Sequence, residues 1–292
     1  MKKLKLLFLV CAGLIFSSCG SSQEYSYVKN VFFSTEEESY KVVFQVYDFE
    51  SAKENYRFDS FSFDDLDNLL ISATAYENYN FRLCENVLID INLFDTALDN
   101  VLSSINWLKI PPATNILCFL DSEIPDNLSL SGVIDTPLYS LSQEKSGFSG
   151  IVQITDKSGK NKGAVIVDNG RRQKAVSEKQ WKMVNLLKGN NAGFTFTTEE
   201  NNIFIQADWC DVYFSADKKI NINILLSIKD YKGVENTAQG MEKLQEILRK
   251  EISDIILGLY EDEYIKESCN LDWYENINKT EISGIVINID FI

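Results

Sequence analysis

Apolar and polar residues in the first half of the chain repeat with two different periods. The run Tyr40–Asp48 is rich in β-branched and aromatic side chains, which is typical of a strand, and Val31–Phe33 is its expected hairpin partner. Short apolar runs at Asn86–Asp90 and Asn115–Leu120 predict two buried strands. Between them, apolar side chains recur every three or four residues from Phe94 to Leu108, so we predict a helix there.

The second half of the chain mostly shows the alternation of strands. Gly150–Thr155 and Gly163–Asp168 flank a polar turn, which predicts a hairpin. Ser177 stands three residues before Gln180, and this capping-box spacing predicts the start of a short helix. Further strands are expected where apolar and polar residues alternate, at 194–196, 203–205, 209–214 and 220–226.

A long amphipathic helix and an apolar strand close the sequence. Leu244, Leu248 and Ile252 lie on the apolar stripe of a helix predicted from Thr237 to Tyr260. Such a stripe either packs on a sheet or binds a partner, and we favour a core helix packed on a sheet. The segment Gly284–Ile292 is strongly apolar, and we expect it to be a strand paired inside the sheet.

Residues 121–147 differ from the rest of the chain in composition, because Pro, Gly, Ser, Asn and Asp are frequent there. This composition predicts a linker. We therefore predict an α+β fold of mostly antiparallel sheets with packed helices, in two or more small domains. The expected division is a lipoprotein signal peptide at 1–19, an N-terminal α+β domain at 20–145, and a C-terminal α+β domain at 146–292 that contains the long helix and a sheet.

The N-terminus has the pattern of an exported lipoprotein. Lys2, Lys3 and Lys5 precede the mostly apolar segment Leu6–Phe16, which is shorter than the roughly 20 residues of a spanning helix. Small residues then precede Cys19 and resemble a lipobox. We predict cleavage before Cys19 and attachment of a diacylglycerol and an acyl chain such as palmitate to this cysteine. The alternative is an ordinary secretory signal with a chance cysteine.

The net charge restricts the partners of the protein. The whole chain carries a charge of -15, and loss of the three leader lysines makes the mature chain more acidic, at about -18. An acidic surface repels nucleic acid and anionic lipid headgroups. We therefore expect no nucleic-acid partner, and we expect the lipid on Cys19 to provide the membrane affinity.

The absence of histidine from the sequence excludes much chemistry. Serine–histidine and cysteine–histidine catalysis and histidine zinc motifs all require it. Four cysteines follow the proposed lipid site, and none of them forms C-x-x-C, which argues against a zinc or redox site. Two alternatives remain open for these four cysteines: they form disulfides in one of three possible pairings, or they are buried free thiols. The four are Cys84, Cys118, Cys210 and Cys269.

Three polar clusters are candidates for chemistry, and each has a simpler interpretation. The segment Asp156–Gly159 faintly resembles a calcium loop, but it lacks alternating oxygen ligands and is better read as a polar hairpin turn. Glu261–Glu263 gathers acids at a helix end without a partner carboxylate. Arg171 and Arg172 suit a solvated hairpin tip better than an anion site. We expect no enzymatic activity, no cofactor and no metal.

The order of these elements resembles the Ger(x)C family of spore germination lipoproteins. The resemblance begins with FDTALDNVLSSINWLKIPPATNILCFLD and continues through GIVQITDKSGKNKGAVIVDNGRRQKAVSEKQWKMVNLLKG. The alternating strand at 220–226, the long helix from Thr237, a stretch containing Trp273 and the closing strand IVINIDFI follow in the same order. The resemblance covers most of the mature chain.

The resemblance implies a role as the C subunit of a GerA-type nutrient germinant receptor. Such a subunit is a non-catalytic lipoprotein that acts with two integral-membrane partners, the A and B subunits, on the outer face of the spore inner membrane. Of the family's functional residues, only the lipid-bearing cysteine matches a definite position, Cys19. A different function is an envelope solute- or carbohydrate-binding lipoprotein, in which Trp181, Trp209 and Trp273 line a ligand site.

Overall fold

A computed structural model describes residues 25–36, 39–48, 55–65, 68, 71, 78–120, 142–144, 147–189, 194–197, 202–232, 237–271 and 282–292. The strands are β1 Ser26–Glu36, β2 Ser39–Asp48, β3 Asn55–Phe63, β4 Tyr79–Asn80, β5 Asn86–Asp90, β6 Asn115–Phe119, β7 Ser142–Glu144, β8 Gly147–Thr155, β9 Asn161–Asp168, β10 Arg171–Ser177, β11 Phe194–Thr197, β12 Asn202–Phe214, β13 Lys219–Lys232 and β14 Gly284–Phe291. The helices are α1 Ile91–Thr96, α2 Leu98–Trp107, α3 Glu178–Leu187, α4 Ala238–Glu261 and α5 Glu263–Ser268.

The larger sheet has antiparallel flanks and a parallel centre. Its strand order is β10-β9-β8-β6-β5-β1-β2-β3, with β4 paired to β1 and β7 paired to β8. The hairpin β1–β2 confirms the pairing expected for Val31–Phe33 and Tyr40–Asp48. The central pairs β1–β5, β5–β6 and β6–β8 are parallel. Strand β5 is buried on both faces, which agrees with its continuous apolar sequence.

A row of buried amides crosses the centre of this sheet. Asn30 donates from Nδ2 to Oε1 of Gln45 at 2.6 Å, and Asn86 donates from Nδ2 to Oδ1 of Asn30 at 2.8 Å. Gln45 on β2 and Asn86 on β5 are both register partners of Asn30 on β1. A buried amide must find a partner, so a register slip at either pair costs a hydrogen bond in a water-excluded site. The row therefore favours one register.

The helical segment after β5 is two helices rather than the single helix expected from Phe94 to Leu108. Helix α1 begins earlier, at Ile91, because the Asp90 side chain accepts a hydrogen bond from the Asn92 backbone N–H at 2.7 Å. The chain leaves the helical conformation at Ala97, where φ is -147° and ψ is 24°. The apolar period continues through the break, and both helices pack on one face of the sheet. Periodicity alone therefore did not reveal the break.

Strands β8, β9 and β10 belong to the same sheet as the N-terminal half. β8 pairs with β6 in parallel, and the hairpin β8–β9 confirms the expected pairing of 150–155 with 163–168. The expected domain boundary at 145/146 therefore lies between segments that share one sheet. Residues 121–141, most of the expected linker, lie outside the described residues, and the division into domains stays a prediction.

Helix α3 begins where its capping box predicts. The Ser177 hydroxyl accepts from the Gln180 backbone N–H, and the Gln180 side chain accepts from the Ser177 backbone N–H at 3.1 Å. The helix ends before Gly189, whose φ of 82° is a left-handed conformation that suits glycine. Trp181 and Val184 on α3 join a hydrophobic core that also includes residues of β9, β12, β13 and α4.

The smaller sheet has the order β11-β12-β13-β14, and α4 packs on one of its faces. Leu244, Leu248 and Ile252 are fully buried against inward-facing isoleucines of β12 and β13. This confirms the interpretation of the long helix as a core helix packed on a sheet. The stripe continues through Ile256, which is fully buried, whereas the neighbouring Ile255 is only partly buried.

The C-terminal strand lies at the edge of the smaller sheet, so the expectation that it is paired inside the sheet is wrong. β14 runs parallel to β13 and has no other partner strand among the described residues. Its apolar sequence reflects burial of Ile289 and partial burial of Ile285 and Ile287 under α4. Arg249 of α4 donates to the Ile289 carbonyl at 2.9 Å and lies over the Phe291 ring. The guanidinium of Arg249 thus supplies a donor to a carbonyl of this edge strand, and a charge beside an edge strand reduces its tendency to pair with other chains.

The expected α+β class is confirmed, since sheets carry packed helices and most strand pairs are antiparallel. The sequence did not reveal the parallel centre of the larger sheet. None of the helices in the described ranges is long and apolar enough to cross a membrane.

Candidate functional site

The one site residue carried over from the resemblance is Cys19. It lies outside the described residues, as does the whole leader, and lipidation of this cysteine stays a prediction. The other candidates except Trp273 lie among the described residues.

The calcium-like segment is a closed hairpin turn. One oxygen of Asp156 accepts from the Ser158 backbone N–H at 2.9 Å and the Lys160 backbone N–H at 3.2 Å, and the other lies 3.3 Å from Nζ of Lys162. Partial burial opposes ionisation, but these hydrogen bonds outweigh it and lower the pKa of Asp156 to about 2. Both carboxylate oxygens are thus used within the turn, which agrees with the interpretation as a polar hairpin turn.

The acidic segment after α4 joins two parts of the chain. Asp262 accepts from the Ile265 backbone N–H at 3.1 Å and so caps α5, and it also pairs with Lys174 of β10. The hydrogen bond from Lys174 lowers the pKa of Asp262 against an opposing effect of partial burial. Glu263 pairs with Lys266 at 2.8 Å. The carboxylates of Asp262 and Glu263 thus serve helix capping and ion pairing.

The two arginines at the tip of the β9–β10 hairpin do not act as a pair. Arg171 is exposed, whereas Arg172 lies 3.4 Å from the Asp95 carboxylate of α1. Asn169 and Gly170 form the turn with φ values of 53° and 69°. The positive φ of Gly170 favours glycine, and a Cβ added there would lie 2.0 Å from the Asp99 carboxylate of α2, so that side chain would have to move. Arg172 therefore links the hairpin to α1, whereas Arg171 is exposed at the hairpin tip.

The four remaining cysteines are free thiols, which resolves the alternatives that their spacing left open. Three of them are buried, and Cys210 is partly exposed. Burial raises the pKa of Cys84, Cys118 and Cys210 to about 12 and that of Cys269 to about 11. A thiol held in the protonated form is a poor nucleophile and a poor metal ligand. They act as small apolar core residues.

The three tryptophans proposed to line a ligand site do not lie together. Trp181 is 3% exposed and donates from Nε1 to Gln153 at 3.5 Å within the core. Trp273 lies outside the described residues. Trp209 is 49% exposed on β12. Of the proposed set, only Trp209 is shown to be available to a ligand.

Trp209 stands on the side of the smaller sheet that faces away from α4, which we call the outer face. It is the register partner of Leu225, Asp211 is the partner of Asn223, and Tyr213 is the partner of Asn221. On β14, Val286, Asn288 and Asp290 continue the same three rows. The outer face thus consists of Phe204, Gln206, Trp209, Asp211 and Tyr213 of β12, Asn221, Asn223 and Leu225 of β13, and Val286, Asn288 and Asp290 of β14.

A β-bulge sets the direction of Trp209. Ala207 faces the core, and strict alternation would turn Trp209 toward the core as well. The register shifts between Ala207 and Trp209, so Asp208 is an extra residue and Trp209 points outward. The Ser227 hydroxyl donates to the Asp208 carboxylate and ties the bulge to β13. Trp209 was expected from the sequence, but Tyr213 and the asparagines were not, because their only sequence signal is the alternation along the strands.

Comparisons with known proteins give likenesses to solved structures. No family model matches the chain, and no curated protein matches it. The chain is similar to the solved crystal structure of the GerBC protein, with 15% identity and a TM-score of 0.47. The match covers 93% of this chain and 100% of the solved chain.

Proposed function

We propose that the protein is a membrane-anchored, non-catalytic lipoprotein subunit of a nutrient germinant receptor that acts in spore germination. The observation that carries the proposal is the order of elements in the second half of the chain. The capped helix α3, the long strand β13, the long helix α4 and the closing strand β14 follow one another as they do in the Ger(x)C resemblance. These elements supply the hydrophobic spacing on which the resemblance rests.

The leader supports the membrane location. Ser17 and Ser18 precede Cys19, and the polar sequence Ser21–Glu24 separates this cysteine from the first described strand. Two acyl groups hold a protein stably, because each buried methylene contributes about 0.8 kcal/mol. A net charge of -15 does not favour adsorption to anionic headgroups. We therefore place the protein on the outer face of the spore inner membrane through its lipid, beside the A and B receptor subunits.

The chemistry of the folded body supports a role in binding rather than catalysis. The sequence has no histidine. The thiols have raised pKa values, and the carboxylates of Asp156 and Asp262 are committed to turns, caps and ion pairs. A general base needs a free lone pair within reach of a substrate proton, and these groups do not offer one.

The test is replacement of the gene in the bacterium that encodes it by a Cys19→Ala variant, beside a Cys11→Ala variant. Cys11 lies within the leader, so it is a matched control for loss of a cysteine without loss of the lipid site. We expect Cys19→Ala to lose the diacylglyceryl mass, to leave the detergent phase, and to slow nutrient-triggered germination. Cys11→Ala should behave as the wild type, and germination by a trigger that bypasses nutrient receptors should be unchanged in both.

The two parts of the proposal fail separately. A wild-type protein released without lipid would exclude the anchor. A deletion strain with normal nutrient-triggered germination and normal levels of the other receptor subunits would exclude the receptor role, whatever the state of Cys19.

A further inference from the structure

We propose that the outer face of the smaller sheet binds a neutral oligosaccharide chain. The inference rests on the geometry of this face and does not depend on the receptor role. Three features of the face carry it: a row of exposed aromatic rings, amide groups on the neighbouring strands, and an acidic charge.

The aromatic row runs along β12. Phe204, Trp209 and Tyr213 are 40%, 49% and 43% exposed. Trp209 and Tyr213 are four residues apart on one strand, which separates their attachment points by about 13 Å. In the described part of the chain no other ring stacks on these three side chains, and each of them is exposed over two fifths or more of its surface. A rigid strand holds the rings at a spacing that an extended oligosaccharide of several sugars can span.

The amides stand on the strands next to this row. Asn221 and Asn223 are the register partners of Tyr213 and Asp211. Asn288 donates from Nδ2 to Oδ1 of Asn223 at 2.8 Å, which fixes the direction of both amides. A side-chain amide donates and accepts, as a sugar hydroxyl does. A pyranose ring has an apolar C–H face and a polar rim, so it matches an aromatic surface bordered by amides.

Charge narrows the class of ligand. Asp211 and Asp290 lie on the outer face, and the chain as a whole is acidic. Aromatic platforms also stack nucleobases, but such sites are lined with cations that follow the phosphates. Carboxylates instead accept hydrogen bonds from hydroxyl groups and repel anionic polymers. The face therefore selects an uncharged glycan over a nucleic acid or a polyanionic one.

The arrangement of side chains also favours a glycan over a protein as the ligand of this face. The core of a protein interface is a continuous apolar area that is depleted of charged residues. On this face, Asp211 lies between the two aromatic residues Trp209 and Tyr213, and the next row on β13 is amide-rich. Isolated rings among hydrogen-bonding groups suit a ligand that is both stacked and hydrogen-bonded.

The experiment titrates the detergent-solubilised full chain with chitohexaose, cellohexaose and maltohexaose, following binding by calorimetry and tryptophan fluorescence. We expect at least one of these neutral probes to bind, and Trp209→Ala and Tyr213→Ala each to weaken that binding about tenfold or more. Trp209→Phe should keep part of the affinity, because a ring remains. The matched control is Trp107→Ala, which removes a tryptophan of similar exposure (52%) on α2, away from the outer face, and should leave binding unchanged.

Several outcomes would overturn the inference. These are absence of binding to all three probes, equal loss of affinity in Trp209→Ala and Trp107→Ala, and tighter binding to a polyanion such as heparin. If Trp209→Ala leaves glycan binding at the wild-type level but prevents co-purification of membrane subunits, the face is a protein interface instead. Thermal unfolding of each variant at the wild-type midpoint shows that a loss of binding is not a loss of fold.

Discussion

Single residues decide which side chains of the smaller sheet meet solvent. The inserted Asp208 reverses the alternation along β12, so that Trp209 and Tyr213 face outward while Cys210 and Val212 face the core. At the turn between β8 and β9, Asp156 has a comparable local effect, because its carboxylate gathers the donors of the turn. In both cases one carboxylate fixes the course of the backbone.

Asp156→Asn should destabilise the protein in a pH-dependent way. The pKa of Asp156 is lowered from 3.8 to about 2, so its contribution to stability is complete above about pH 4 and is lost as the pH falls toward 2. The shift corresponds to about 2 kcal/mol, and solvent screening of this part-exposed group reduces the expected effect to about 1 kcal/mol. Urea unfolding of wild type and variant should therefore differ at neutral pH and converge near pH 2.

Asp254→Asn is the matched control, because Asp254 is an exposed carboxylate on α4. Its effect on the free energy of unfolding at neutral pH should be small, because the side chain is exposed. A difference between wild type and Asp156→Asn that persists unchanged down to pH 2 would show that the amide disturbs the turn for reasons other than charge.

At the scale of elements, helix α4 shows how an amphipathic pattern is used within one molecule. Its apolar stripe is buried on the sheet, with Leu248 fully buried, while Leu257 on the same helix is 37% exposed. The stripe is thus occupied by the protein's own core. The surface of the smaller sheet that is left for a ligand is the outer face, opposite to α4.

Leu248→Ala should destabilise the protein by about 2 to 5 kcal/mol, because it leaves a cavity in a fully buried site. Leu257→Ala makes the same chemical change on the same helix and should cost less than about 1 kcal/mol. Denaturant unfolding of the two variants measures the difference. Equally small changes in the free energy of unfolding for both variants would mean that α4 is not part of the core. The helix would then be better explained as a partner-binding element.

At the scale of the whole molecule, one sheet joins the segments on either side of residues 121–147, whose composition predicts a linker between domains. β8 pairs with β6, and α3 connects β9 to the core under α4. Lys174 pairs with Asp262, and Lys179 lies 2.7 Å from Glu251, so ion pairs also link β10 and α3 to the C-terminal helices. The two sheets therefore meet through β9, β10 and α3.

A fragment of residues 146–292 should fold less cooperatively than the full chain. In the fragment β8 loses its neighbour β6, which leaves an unpaired edge and exposes apolar side chains of the sheet. Limited proteolysis should cut the fragment early in β8–β10, and its thermal transition should be broad. A fragment that unfolds in one sharp transition at the midpoint of the full chain would instead support the expected division at 145/146.

The sequence by itself determined most elements that depend on neighbours along the chain. The capping box of Ser177 and Gln180 joins groups three residues apart, and the alternation at Ile220–Leu226 assigns one face to the core. The period of α4 also identified its buried side. These signals are local, because the period at which side chains return to the same face is set by the helix or strand itself and not by its neighbours in the fold. The proposed lipid site at Cys19 rests on the same kind of local motif.

Only the tertiary structure decided which elements are neighbours. β1 pairs in parallel with β5 although Val31 and Val87 are far apart in sequence, and β14 takes an edge position despite its apolar sequence. An apolar pattern predicts that a face is buried but does not identify the element that packs against it. The order of strands depends on contacts between residues that are distant in sequence. The outer face likewise depends on contacts between residues that are distant in sequence. Trp209, Asn223 and Asn288 come together only because a bulge and two strand pairings set their directions.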